Sequence, residues 1–168
     1  MKFNSFSKII LAVSISLLSF SSQASMTVPV QLVSGDQSGK VIGSVQFENT
    51  HGGVLLTPDL NGLPPGIHGF HIHEKPSCDD HGMVAGGHFD PMASGKHLGP
   101  YQHGHKGDLP VLIVDKNGRA TLPVLAPNIT LAQLKNHALM IHAGGDNYSD
   151  LPEKLGGGGE RIACGVIK

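Results

Sequence analysis

The sequence predicts an all-β fold, an antiparallel sandwich or barrel of about eight strands. Short apolar runs repeat with period two, the period of a strand with one buried face. They are separated by turns drawn from 23 Gly and 11 Pro in 168 residues. Helical spacing is nearly absent, and many short strands punctuated by Gly and Pro are the mark of such folds.

Taken in order, Val28, Val30 and Leu32 alternate with more polar neighbours, and Pro29 suggests an edge position because it lacks an N–H. Val41, Gly43, Val45 and Phe47 alternate with Ile42, Ser44, Gln46 and Glu48. Val54 to Thr57 forms a third run, followed by a turn-rich stretch from Pro58 to Pro65. Ile67 to His73 reads as one strand. Leu112 to Val114 and Thr121 to Val124 flank Asn117-Gly118, a two-residue hairpin signal. Leu139 to His142 and Ile162 to Ile167 complete the set. Leu131 to His137 alone suggests a helical turn, with Thr130 as its cap.

Residues 1–24 stand apart as a signal peptide. Lys2 and Lys8 make a basic start, Ile9 to Phe20 is apolar apart from serines, and Ser22-Gln23-Ala24 offers small residues for cleavage. The run is too short for a permanent membrane span, and no cysteine at the cleavage point supports a lipid anchor. The expected mature chain, 25–168, is one exported domain without a stable membrane anchor. Without Lys2 and Lys8, the 12 basic and 13 acidic residues become 10 and 13, a formal charge of −3. No nucleic-acid footprint is expected, since that needs a strongly basic face.

Cys78 and Cys164 are the only cysteines. An even count in an exported chain reads as a disulfide. Thiolate metal ligation is the weaker alternative because histidines already supply donors. Two segments lack any period, Lys75 to Asp108 and Ala143 to Glu160, and loops this long are usually functional or tied down.

On a strand, residues i and i+2 share a face, so His71 and His73 in Gly69-Phe70-His71-Ile72-His73-Glu74 project side by side. With His88, His97, His105 and His142 there are six histidines in Gly-rich settings, more than one mononuclear site uses. Two metals are the simpler inference. His88, His97, His105 and Asp108 suit a closed zinc set. His71, His73 and His142 remain for a second ion; imidazole suits both zinc and copper, and three nitrogens with an open position suit a redox metal that must meet a substrate.

Gly69 to Glu74, Gly86-Gly87-His88-Phe89-Asp90-Pro91, His105-Lys106-Gly107-Asp108, His142-Ala143-Gly144-Gly145-Asp146-Asn147-Tyr148 and Gly159-Glu160-Arg161-Ile162-Ala163-Cys164-Gly165-Val166-Ile167 resemble the motifs of copper/zinc superoxide dismutases, in their exported bacterial branch. The resemblance covers essentially all of the mature chain. It implies an eight-stranded Greek-key β-barrel or sandwich with two long functional loops. It also implies one copper and one zinc per subunit, superoxide anion as substrate, and antioxidant defence in the periplasm.

Residue by residue, His71, His73, His88 and His142 match the copper ligands, and His88, His97, His105 and Asp108 the zinc ligands. His88 is thus the bridging, catalytic histidine. Asp146 matches a carboxylate that links His71 to His97, and Arg161 the arginine that receives the anion near copper. Cys78 and Cys164 match the family's disulfide. His103, two residues before His105, is a competitor for zinc, but the family spacing of three residues before the aspartate selects His105. His68 matches a structural histidine near the site. His51, His81 and His137 carry no motif.

Two rivals remain at this point, a non-catalytic periplasmic copper/zinc-binding module and a zinc hydrolase. The first requires neither Arg161 nor Asp146. The second requires a base beside the histidine pair, where only Glu74 stands, on the opposite face. A homodimer is the expected assembly, with a monomer as the alternative.

Overall fold

The computed structural model describes residues 24–36, 38–127 and 129–168. The expected signal peptide lies outside the described residues, apart from Ala24. Among the described residues, no helix is long and apolar enough to cross a membrane.

Among the described residues ten strands form: β1 (Ser25–Leu32), β2 (Val41–Thr50), β3 (Gly53–Asn61), β4 (Gly66–His68), β5 (Phe70–His73), β6 (Leu112–Val114), β7 (Arg119–Ala120), β8 (Val124–Pro127), β9 (His137–His142) and β10 (Arg161–Ile167). Eight of them make one curled antiparallel sheet in the order β5-β9-β10-β1-β2-β3-β7, with β8 also on β3. Strands β4 and β6 pair separately. The β5-to-β9 pairing spans most of the long first loop in sequence, which gives the Greek-key character. One short helix, α1 (Leu131–Leu134), follows Thr130, whose N–H donates to Gln133 Oε1 at 3.0 Å.

The period-two reading holds where pairing is regular. Val45 and Phe47 on β2, Val54 and Leu56 on β3, and Leu139 and Ile141 on β9 are fully buried in one core. Burying each such side chain contributes roughly 1.5–3 kcal/mol.

The reading fails at the start of β2. Register shifts between Val30, opposite Gly43, and Gln31, opposite Val41, so Ile42 is the extra residue of a bulge. Parity inverts there: Ile42 is buried, while Val41 is 60 % exposed. The bulge needs Gly43, whose φ is +135° and where a Cβ would lie 2.0 Å from the Asp59 carbonyl oxygen.

Four other expectations shift. Strand β3 runs on through Pro58, which falls between the stretches pairing β8 and β7, where neither partner needs its N–H. Pro29 is not on an outer edge; β1 lies between β2 and β10, but β10 pairs only its end, at Gln31 and Leu32. The Ile67–His73 stretch breaks at Gly69 into β4 and β5, which belong to different sheets. The turn at Asn117-Gly118 forms, with Asp115 accepting the Gly118 N–H at 3.0 Å on its carbonyl and the Asn117 N–H at 2.8 Å on its carboxylate. Its flanking strands then diverge, β6 to β4 and β7 to β3.

The first loop folds back along β5. The Ile72 N–H donates to Gly107 O at 2.9 Å, and Ile72 O accepts from the Phe89 N–H at 2.8 Å. Strand β5 therefore has β9 on one side and the loop on the other. Cys78 and Cys164 are joined by a disulfide with Cα atoms 5.7 Å apart, tying this loop to β10. The bond closes a span of 86 residues, for which a chain-entropy argument gives about 4–5 kcal/mol. A Cys78→Ser protein without metals should melt well below the wild type; equal melting temperatures would make the bond irrelevant to stability.

Candidate metal centre

Strands β5, β9 and β10 lie side by side, and their ends supply one group of side chains. His71 and His73 come from β5, His142 ends β9, and Arg161 pairs with His142 at the start of β10. The first loop adds His88, which bridges His73 in sheet-like fashion, and Asp108, which does the same to His71. Candidate ligand atoms of His71, His73, His88 and His142 all lie within 4.8 Å of one another, as do those of His88, His97, His105 and Asp108. A third cluster joins His71, His97 and Asp146. His88 is common to the first two, with its ring centroid 4.0 Å from that of His71.

Hydrogen bonds fix which nitrogen each ring turns inward. A carbonyl can only accept, so the ring nitrogen facing it carries the proton. His73 Nδ1 donates to Gly86 O at 2.9 Å and His142 Nδ1 to Gly159 O at 3.1 Å, leaving each Nε2 buried and without a partner. His71 Nε2 donates to Asp146 Oδ2 at 2.7 Å, leaving Nδ1 likewise bare. Three unprotonated nitrogens thus converge in a buried pocket, beside a fourth ring from His88. Burial is the main cause that lowers these rings' pKa values, to about 3 for His71, about 2 for His73 and about 4 for His142. Repulsion from neighbouring imidazoles adds to the shift. At neutral pH the rings are uncharged and offer lone pairs, the form a metal requires.

The second group has the opposite electrostatics. His97 Nε2 donates to Asp146 Oδ1 at 2.8 Å, which turns its Nδ1 toward Asp108. That Nδ1 stands 3.0 Å from Asp108 Oδ2, and His105 Nδ1 stands 3.4 Å from Asp108 Oδ1, yet neither makes an aligned hydrogen bond. Donor atoms crowded this closely around a carboxylate require a cation or a proton between them. Burial opposes charge on His97, but Asp108 and Asp146 outweigh it and raise its pKa to about 9. Burial also opposes charge on Asp108, and its three histidine contacts overcome that and hold it below the usual carboxylate range. An all-imidazole set beside a His₃Asp set fits copper in the first and zinc in the second.

Asp146 joins the two groups, with His71 on one oxygen and His97 on the other. Gly156 packs against this link with φ +74°; a Cβ there would lie 2.1 Å from Asp146 Oδ1 and 2.8 Å from His97 Nε2. Tyr148 braces the same loop, its N–H donating to Asp146 Oδ1 at 2.7 Å and its hydroxyl accepting from the Val111 N–H at 3.0 Å.

A cleft of about 500 Å³ opens over the first group, lined by His73, His88, His142, Lys154 and Arg161 among others. Arg161 Nη1 donates to Gly82 O at 2.5 Å and Nη2 to Gly86 O at 2.7 Å. These two carbonyls, on the loop that the disulfide anchors, fix the guanidinium at the cleft wall. Their role was not legible in the sequence, where they stand among many loop glycines.

His103 is exposed and outside both groups, whereas His105 is inside the second. His68 is buried, with its two ring nitrogens 2.7 Å from His142 O and 2.8 Å from Pro64 O. His81 and His137 are each anchored through Nδ1 to a backbone carbonyl, Val33 O and Glu74 O.

Comparison with known proteins agrees with this geometry. The family profile described as copper/zinc superoxide dismutase (SODC) matches residues 41–167. A superoxide dismutase [Cu-Zn] of Legionella pneumophila is 58% identical over 127 residues, 76% of this chain and 78% of the relative. The Cu/Zn superoxide dismutase structure from Brucella abortus superposes with a TM-score of 0.81 at 45% identity, covering 86% of this chain and all of that one (100%). The solution structure of the monomeric copper, zinc superoxide dismutase from Salmonella enterica gives a TM-score of 0.75 at 53% identity, covering 86% and 100%.

Proposed function

Given that this chain belongs to the copper/zinc superoxide dismutase family, we propose how its own residues divide the work. The protein is a superoxide dismutase with copper and zinc as cofactors, and two superoxide anions with two protons yield dioxygen and hydrogen peroxide. Bound copper supplies the one-electron exchange with each superoxide, and zinc supplies structural charge.

His71 through Nδ1, His73 and His142 through Nε2, and His88 would hold copper. His88, His97, His105 and Asp108 would hold zinc. The shared ring of His88 carries this reading: its Nδ1 faces Asp108 at 2.9 Å, and the rest of the ring borders the copper group and the open cleft. His88 is placed to hold and yield a proton at its other nitrogen. Asp146 orients His71 and His97, as carboxylates commonly orient ligand histidines. Arg161 keeps its charge and, lacking a lone pair, cannot ligate. It positions the anion instead.

The rivals fit less well. A binding module has no use for a guanidinium fixed in the cleft by two carbonyls. Glu74, the acidic residue next to the pair in sequence, is exposed, accepts the Asp90 N–H at 2.9 Å and does not line the cleft, so it is not placed as a hydrolase base.

The bacterial relatives, the disulfide, which suits an oxidising compartment, and the basic-then-apolar start of residues 1–24 together support a periplasmic domain spanning 25–168. For assembly we favour a homodimer, supported by the exposed cross-strand pair Ile67–Ile113. The Salmonella relative, described as monomeric, supports the alternative, and sedimentation separates the two. The function itself is tested by stopped-flow superoxide consumption at increasing copper content with zinc present. The rate should rise linearly and stop at one copper per chain; a zinc-only protein of equal rate would contradict the assignment.

A further inference from the structure

The second loop contains a turn that the metal chemistry does not explain. Leu155 has φ +55°, ahead of Gly156 and Gly157, both at +74°. A side chain bearing a Cβ avoids this left-handed conformation unless its surroundings impose it. Packing does not impose it, since Leu155 is 40 % exposed.

Hydrogen bonds do. Asp150 Oδ1 accepts the Leu155 N–H at 3.2 Å, and Ser149 O accepts the Gly156 N–H at 3.0 Å. The other oxygen of the same carboxylate, Asp150 Oδ2, accepts the backbone N–H of His97 at 2.9 Å. One side chain thus clasps the strained turn to the first loop. This link runs through backbone groups and is separate from Asp146, which acts through imidazoles. Lys154, adjacent to Leu155, lines the cleft with Arg161, together with the acidic Glu153 and Glu160.

We propose that Asp150 is a positioning residue for superoxide capture, pinning the Leu155 turn to the His97 backbone and so holding Lys154 on the cleft wall. The proposal rests on the dismutase reading above. It makes a prediction of unusual sign. Asp150 is a negative charge on the loop that supplies part of the cleft wall, and by charge alone its removal should speed capture of an anion. If Asp150 acts by positioning Lys154, its removal should slow capture.

The test is stopped-flow superoxide consumption by copper- and zinc-loaded Asp150→Ala and Asp150→Glu over a range of ionic strength. Glu keeps the charge but displaces the carboxylate. Both variants should be slower than wild type at low salt, by about two- to threefold, with a flatter salt dependence. Lys154→Gln should reproduce the loss, and adding Asp150→Ala to it should cost nothing more. In metal-free protein, the Leu155 and Gly156 amides of Asp150→Ala should exchange faster while β10 stays protected. An Asp150→Ala protein as fast as wild type or faster would overturn the proposal, as would a rate loss undiminished in the Lys154→Gln background. An inactive wild type would instead sink the dismutase reading, so the two failures are distinguishable.

Discussion

Arg161→Glu should retain both metals and the fold yet consume superoxide roughly 100-fold more slowly at low ionic strength, within the range that electrostatic steering spans. The guanidinium sits half-buried at the wall of the cleft, held by the Gly82 and Gly86 carbonyls. It has no lone pair for a metal, so its loss removes no ligand. In the proposed mechanism it supplies a fixed positive charge where the anion arrives, in a planar form that lysine does not reproduce. Arg161→Ala removes that attraction and should cost about tenfold. Arg161→Glu adds repulsion and should cost more.

Salt separates this from a packing defect. The wild-type rate should fall as ionic strength rises, because screening shortens to about 10 Å at 0.1 M. The charge-reversed protein should show a flat or inverted dependence. Equal rates for wild type and Arg161→Glu at low salt, with full metal content, would leave Arg161 as packing alone.

The parts of this account legible in the sequence are those governed by local periodicity. His71 and His73 two apart on a strand, in alternation with buried Ile72, follow from the pleat. The pairing of Cys78 with Cys164 follows from there being no other cysteine. The resemblance to known motifs sorted six histidines into two groups, and the folded chain gathers them that way.

What was not legible depends on contacts distant in sequence. The bulge that turns Ile42 inward and Val41 outward exists only because β1 and β2 slip against each other at Gln31. Pro58 can sit inside β3 only because β7 and β8 leave a gap opposite it. Asp150 reads as one more loop aspartate until His97, 53 residues away, brings its N–H to the carboxylate. Gly82 and Gly86 gain their role from where the disulfide places their carbonyls.

The other large effect is expected at His88. It is the single ring common to both groups of ligand atoms, so its removal takes one donor from each. In the proposed zinc group it also leaves Asp108 without the contact at 2.9 Å that helps hold its carboxylate ionised. Losing a ligand should exceed the cost typical of outer partners, which is already about 10–100-fold in affinity. His88→Ala should therefore bind both metals weakly and lose nearly all activity. His142→Ala touches only the proposed copper group and should spare zinc.

Metal analysis of purified, metal-exposed His88→Ala beside His142→Ala tests the shared ring most directly. His88→Ala should be deficient in copper and zinc together, while His142→Ala should be deficient in copper alone. One copper and one zinc per chain in His88→Ala would contradict a shared ring.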